Sequence, residues 1–183
     1  GEYSRHHEEI KAIMNGYYWN EEDGIYYDIK KRNPEHHVEI KTPASYWPLL
    51  ADMCDESQAT RLAEKARDPN CFGGDPPWPS VSRDDPDYHP EGMYWRGGVW
   101  LPMAYMATKA LERHGHQELA DRNAERLLVH MLDTYEQYEP HTIWEVYSPS
   151  EPRPATYKQN KGVFRPEFCG WSALGPISML IEN

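Results

Sequence analysis

With 30 Asp and Glu against 19 Lys and Arg, the 183-residue chain carries a formal net charge of −11 and a sequence pI near 5.2. That balance excludes a nucleic-acid partner held through its phosphates and an anionic membrane surface, because both need a basic footprint. The length suits one domain over residues 1–183, large enough to bury roughly 70% of its unfolded surface.

No apolar run is long enough for a membrane span, and Gly1-Glu2-Tyr3-Ser4-Arg5 lacks the basic-then-apolar pattern of a signal peptide. A soluble protein of the cytoplasm or periplasm is the expectation. Cys54, Cys71 and Cys169 have no zinc-ligand spacing and read as free thiols.

From Tyr3 to about Asn15 the residues are helix-compatible, with Ile10, Ile13 and Met14 apolar and Arg5, Glu8, Glu9 and Lys11 polar, which predicts an outer, half-exposed helix. Asp23-Gly24 then lies between the aromatic runs Tyr17-Tyr18-Trp19 and Ile25-Tyr26-Tyr27, a hairpin signal. Its acids do not fit a calcium loop, since Trp19 holds the position where that register needs its first Asp. Thr42-Pro43 reads as the N-cap and first residue of a buried helix over 44–54. Residues 56–67 place Ala59, Leu62, Ala63 and Ala66 on one face, an amphipathic outer partner.

The loop 68–96 is long, and its prolines together with Trp78, Tyr88 and Tyr94 favour order. It runs into Tyr94-Trp95-Arg96-Gly97-Gly98-Val99-Trp100, from which an inner apolar helix extends from Val99 to about Arg113 and stops at His114-Gly115. Residues 116–138 make the clearest outer helix, with Leu119, Ala120, Ala124, Leu127, Leu128, Met131, Leu132 and Tyr135 in one stripe. A third connector, 139–168, precedes an inner helix over 170–181.

The order is outer, inner, three times over, and the connectors 16–41, 68–96 and 139–168 all precede inner helices. Functional residues therefore gather at the N-terminal ends of the inner helices. Trp47-Pro48, Trp100-Leu101-Pro102 and Trp171 with Pro176 form a loose repeat consistent with hairpin units. Three hairpins make an incomplete ring with bare apolar flanks, and the chain begins without Met. A piece of something larger is expected, its partner being the other half of the ring or another copy.

Thirteen Tyr and seven Trp against three Phe, with a mean hydropathy of −0.89, offer flat apolar faces with polar handles, which suit sugars. Tyr94–Trp100, an arginine among aromatic rings, reads as one wall of a sugar pocket, or as a stacked arginine that only holds the loop down. Glu145, in the strand-like run 141–147 with bulky apolar neighbours, is the strongest candidate carboxylate. Arg96 is its expected counter-charge, and a half-exposed strand glutamate is the plain alternative. The pairs His6-His7, His36-His37 and His114/His116 lack an HExxH, and no GxSxG or phosphate-binding glycine loop occurs. Neither metal nor cofactor is expected.

Five motifs in order carry a resemblance: Phe72-Gly73-Gly74; Pro79-Ser80-Val81-Ser82 with Asp84-Asp85-Pro86 and Tyr88; Tyr94-Trp95-Arg96-Gly97; Trp144-Glu145-Val146-Tyr147; and Phe168-Cys169-Gly170-Trp171-Ser172. Together they resemble the C-terminal half of the catalytic domain in glycoside hydrolase family 63 and the related trehalases. The resemblance implies an all-α fold, helical hairpins forming about half of an (α/α)6 toroid, with long loops and short β-hairpin pieces on one face. It implies an inverting glycosidase acting on an oligosaccharide or glycoside, of glucosidase or mannosidase type.

By that similarity Glu145 is the general base, and Trp95, Arg96 and Trp171 line the sugar subsite; Trp78, Asp85, Tyr94, Trp144 and Tyr147 are the further substrate-binding residues expected. The family's acid is an Asp in an upstream Trp-Asp motif, and this chain contains no Trp-Asp. Its expected role is thus a catalytic-domain fragment, inactive alone. Gly98 stands where family members often carry proline. The alternative is a non-catalytic carbohydrate-binding module using the same aromatic pocket.

Overall fold

A computed structural model describes residues 1–158, 161–163 and 165–182. Helix α1 (Glu2–Ile13) widens into a π turn at Met14–Tyr18, and none of its residues is buried, as expected of an outer element. The antiparallel pair β1 (Trp19–Asn20) and β2 (Ile25–Tyr26) closes over Asp23-Gly24, where the hairpin is expected. A second pair, β3 (Asp28–Lys30) and β4 (Asn33–Val38), follows directly.

The helix expected over 44–54 is much shorter. A 3-10 turn, Pro43–Tyr46, leads into α2 (Trp47–Leu50), and Thr42 makes no capping hydrogen bond. Proline at 48 lacks the N–H that would carry an α ladder through the junction. Beyond Leu50, Met53 N–H donates to Pro48 O at 2.9 Å and Asp52 N–H to Leu49 O at 3.1 Å, with Asp52 left-handed at φ 58°. That pair of bonds terminates the helix. Helix α3 (Glu56–Arg67) opens on a reciprocal cap in which Gln58 N–H donates to Asp55 and Asp55 N–H donates to Gln58.

Helices α4 (Leu101–Arg113) and α5 (Gln117–Gln137) form the next hairpin, and α6 (Gly170–Glu182) follows the short pair β5 (Thr156–Lys158) and β6 (Lys161–Val163). α4 packs on both α2 and α6, so these three make the inner row, with α3 and α5 behind it. The row is parallel. At one end His114 contacts Leu49 O at 2.7 Å and Arg113 pairs with Asp52, which sets the C-termini of α2 and α4 side by side. Along α6, Gly175 lies on Leu101 and Tyr105, while Glu182 meets Tyr105 and Lys109 further on. A Cβ at Gly175 would sit 3.0 Å from Leu101 O, so glycine lets α6 and α4 meet.

Small residues also set the spacing between rows. Ala59, Ala63 and Ala66 of α3, Ala104, Ala107 and Ala110 of α4, and Ala120 and Ala124 of α5 are buried around Leu62, Leu111 and Leu127. Under the loop 68–96, the rings of Tyr46, Phe72 and Trp78 pack together. Leu132 and Tyr135 of the α5 stripe are exposed, so that stripe is narrower than expected. Among the described residues no helix is long and apolar enough to cross a membrane.

Candidate active site

All three long connectors end at the N-termini of the parallel inner helices, and there the chain assembles its candidate site. The run 141–147 is not the expected strand. Only Tyr147 makes ladder contacts, bridging Val99 on one side and Pro154 on the other. The residues before it bend, because other groups take up their backbone bonds. Cys169 N–H donates to Ile143 O at 2.9 Å, Ala155 N–H to Val146 O at 3.1 Å, and Ser172 Oγ to Glu145 O at 3.1 Å. Trp144 N–H donates to the Tyr147 hydroxyl at 3.2 Å. Glu145 is thus carried on a turn fastened to α6 and to the strand-like entry of α4.

The Glu145 side chain is 15% exposed, and its Oε2 has no hydrogen-bond partner among the described residues. Among the described residues its ion-pair partner is Arg165, with Nε 3.8 Å from that oxygen. The expected counter-charge, Arg96, lies elsewhere: its guanidinium pairs with Asp87 at 2.5 Å and donates to Asp87 O at 3.1 Å. Asp87 is seven residues into the acidic run that starts at Ser80, so the loop supplies Arg96 with a partner locally.

Trp95 stacks on Trp100 with ring centroids 4.0 Å apart and planes 8° from parallel. Tyr94 sits edge-on to both, and Trp171 lies 6.1 Å from Trp100. Trp95 is 44% exposed and Trp171 47%, so the cluster has an apolar surface open to a ligand. Trp100, absent from the expected contact set, is the buried ring on which the others rest. Val146, next to Glu145, packs on that ring together with Ala155. Met93 and Tyr94 both adopt left-handed backbone, at φ 32° and 61°, a conformation costly outside glycine that collects at functional loops.

Trp78, Trp144 and Tyr147 lie in the core. Trp78 packs between Tyr46 and Phe72, Trp144 packs edge-on to Tyr138, and Tyr147 lies against His130. All three are buried, so none presents an open ring face as Trp95 and Trp171 do. Asp85 accepts the Asp87 N–H at 2.8 Å and shapes its own loop. Asp84 pairs with Lys41 and Ser82, which hold its carboxyl below its ordinary value against the opposing effect of burial.

Comparisons with known proteins agree with this architecture. Residues 1–159 match the mannosylglycerate hydrolase MGH1-like glycoside hydrolase domain. An uncharacterized protein of Borreliella burgdorferi is 32% identical over the whole chain, which spans 39% of that relative. The mannosylglycerate hydrolase of Thermus thermophilus is 31% identical over 66% of the chain and 28% of its own length. Among solved structures, a Thermus thermophilus GH63 mannosylglycerate hydrolase in complex with glucose superposes with a TM-score of 0.70 at 24% identity, over 94% of this chain and 38% of that one. Neutral trehalase Nth1 from Saccharomyces cerevisiae gives 0.73 at 19% identity, over 94% and 29%. These superpositions show the fold, part of an (α/α)6 toroid, and the chain spans two fifths or less of each of these relatives. On its sequence match, the chain belongs to the mannosylglycerate hydrolase MGH1-like glycoside hydrolase family.

Proposed function

We propose that this chain is the base-bearing part of an inverting glycoside hydrolase. The observation that carries the reading is the Glu145 carboxylate, mostly withdrawn from water and with one oxygen that takes no hydrogen bond from the described residues, on the same turn system as an open aromatic cluster. A sugar ring stacks on Trp95 and Trp171. Glu145 takes a proton from a water as that water's oxygen bonds to the anomeric carbon. On the opposite face the glycosidic bond breaks, and its oxygen receives a proton from an acid outside this chain. A mannoside of a small hydroxy acid, mannosylglycerate first, is the proposed substrate class, in line with the family and with the activity named for its Thermus relative.

The test is hydrolysis of mannosylglycerate, followed by proton NMR of the first anomer released. The chain alone gives no turnover. Joined to the hairpins its relatives carry outside the matched region, it releases the inverted anomer, and Glu145→Gln lowers kcat by about 10²–10⁴-fold. Release of the retained anomer, or full turnover by Glu145→Gln, would remove this assignment.

A further inference from the structure

We propose that Thr156 is a positioning residue for the reaction, the clamp that holds the open face of Trp95 in register with Glu145. The proposal rests on the glycosidase reading given above, and Thr156 acts in it through its neighbours, not on the reacting atoms. Residues 154–156 run between the two halves of the site. On one side Pro154 bridges Tyr147, Ser148 N–H donates to Arg153 O at 2.9 Å and Ala155 N–H donates to Val146 O at 3.1 Å. Those bonds tie the segment to the turn that carries Glu145. On the other side Thr156 makes four hydrogen bonds to residues 91–94, directly before Trp95. Its N–H donates to Glu91 O at 2.9 Å, and its carbonyl accepts the Tyr94 N–H at 3.1 Å. Its hydroxyl accepts the Met93 N–H at 3.3 Å and donates to the same Glu91 O at 3.2 Å.

The hydroxyl is matched to the backbone beside it. Met93 and Tyr94 are left-handed, at φ 32° and 61°, a conformation that residues with side chains keep only where their surroundings over-determine it. Both of them give their N–H to Thr156. The loop can come this close because position 92 is glycine, where a Cβ would lie 2.6 Å from Ala155 Cβ. Thr156 is 4% exposed, so water has little access to a bond that the hydroxyl gives up. Serine can accept and donate as threonine does here, whereas valine has threonine's shape and neither capacity. Without the hydroxyl, Met93 and Tyr94 relax towards ordinary backbone and carry Trp95 with them. A sugar stacked on that ring moves with it, so the stack survives while the distance to Glu145 changes. The loss therefore falls on kcat and not on KM, since a misplacement of about 1 Å can cost about 10²-fold in rate.

The experiment compares Thr156→Val with Thr156→Ser in the enzyme completed by the hairpins its relatives carry, with far-UV circular dichroism establishing that both variants are folded at the assay temperature. Thr156→Val is expected to lower kcat for mannosylglycerate about 10–100-fold with KM within about threefold of the parent, and Thr156→Ser to keep kcat within about threefold. Hydrogen exchange read by mass spectrometry over residues 91–96 needs no substrate. It should be faster in Thr156→Val and near the parent's rate in Thr156→Ser. Parental kcat in Thr156→Val overturns the proposal, as do equal losses in the two variants, a raised KM at constant kcat, or unchanged exchange. A parent without glycosidase activity overturns the reading above and this role with it, whereas an active parent matched by Thr156→Val overturns the role alone.

Discussion

Ser172 donates its hydroxyl to the main-chain carbonyl of Glu145 at 3.1 Å, fastening the turn that bears the candidate base to the first turn of α6. Ser172 is fully buried, and Cys169 N–H on Ile143 O makes a second fastening three residues away. Ser172→Ala removes the donor and leaves a carbonyl short of its partner. The expected loss is about 1–2 kcal/mol of unfolding free energy, measured by urea denaturation. An unchanged midpoint would mean the turn is held without Ser172.

Gly98 occupies a place with no room for a side chain. A Cβ there would lie 2.5 Å from Tyr94 O and from Val146 Cγ2, and its N–H donates to Gly92 O at 2.9 Å. Gly98→Ala should cost about 1–3 kcal/mol through overpacking. Gly98→Pro should cost more, since it also removes the donor. A proline variant as stable as the parent would show that the loop has a second conformation.

Asp55 and Gln58 cap α3 reciprocally, at 2.8 and 3.0 Å. Asp55→Ala is expected to lower stability by about 1 kcal/mol, whereas Asp55→Asn, which keeps an acceptor, should cost much less. Equal losses in the two variants would point to charge, not capping, as the source.

Burial pushes the His130 imidazole down from 6.5 to about 4. The folded state then binds fewer protons than the unfolded chain between those values. The neutral ring's contribution is complete above pH 6.5 and is lost progressively as pH falls towards 4, up to about 3 kcal/mol. His130→Phe should flatten the pH dependence of unfolding free energy between pH 7 and 4. Parallel curves for the two proteins would assign the acid sensitivity to carboxylates.

Trp95 offers one open face and rests its other on Trp100 at 4.0 Å. Trp95→Ala should weaken sugar binding about tenfold, which corresponds to about 1.4 kcal/mol, with far-UV circular dichroism unchanged. Calorimetric titration with mannose measures it. Undiminished affinity would place the sugar elsewhere.

Much of the architecture was legible before any coordinates. The stripe Ala59, Leu62, Ala63 and Ala66 locates α3 and its buried face, and the connector lengths locate the end where Glu145, Trp95 and Trp171 lie. Two features of α3 and α2 show the boundary. The Asp55-x-x-Gln58 cap was present in the residues, although the expectation for that helix rested on its apolar face alone. The early stop of α2 was hidden, because the apolar run 47–54 looks helical until Pro48 and left-handed Asp52 divert its backbone bonds.

The site separates in the same way. Residue type and order alone determine that this chain offers a flanked carboxylate, an aromatic-rich loop and three hairpins with alternating inner and outer helices, because periodicity and turn chemistry are local properties. Which ring is surface and which is core was decided only by tertiary packing. Trp78, Trp144 and Tyr147 are chemically as fit to meet a sugar as Trp95 and Trp171, yet they are buried against Tyr46 and Phe72, Tyr138 and His130. The partners of Arg96 and Glu145 were settled there too, since Asp87 reaches Arg96 first and Arg165 comes to Glu145 from a connector twenty residues on, an encounter that no spacing along the chain encodes.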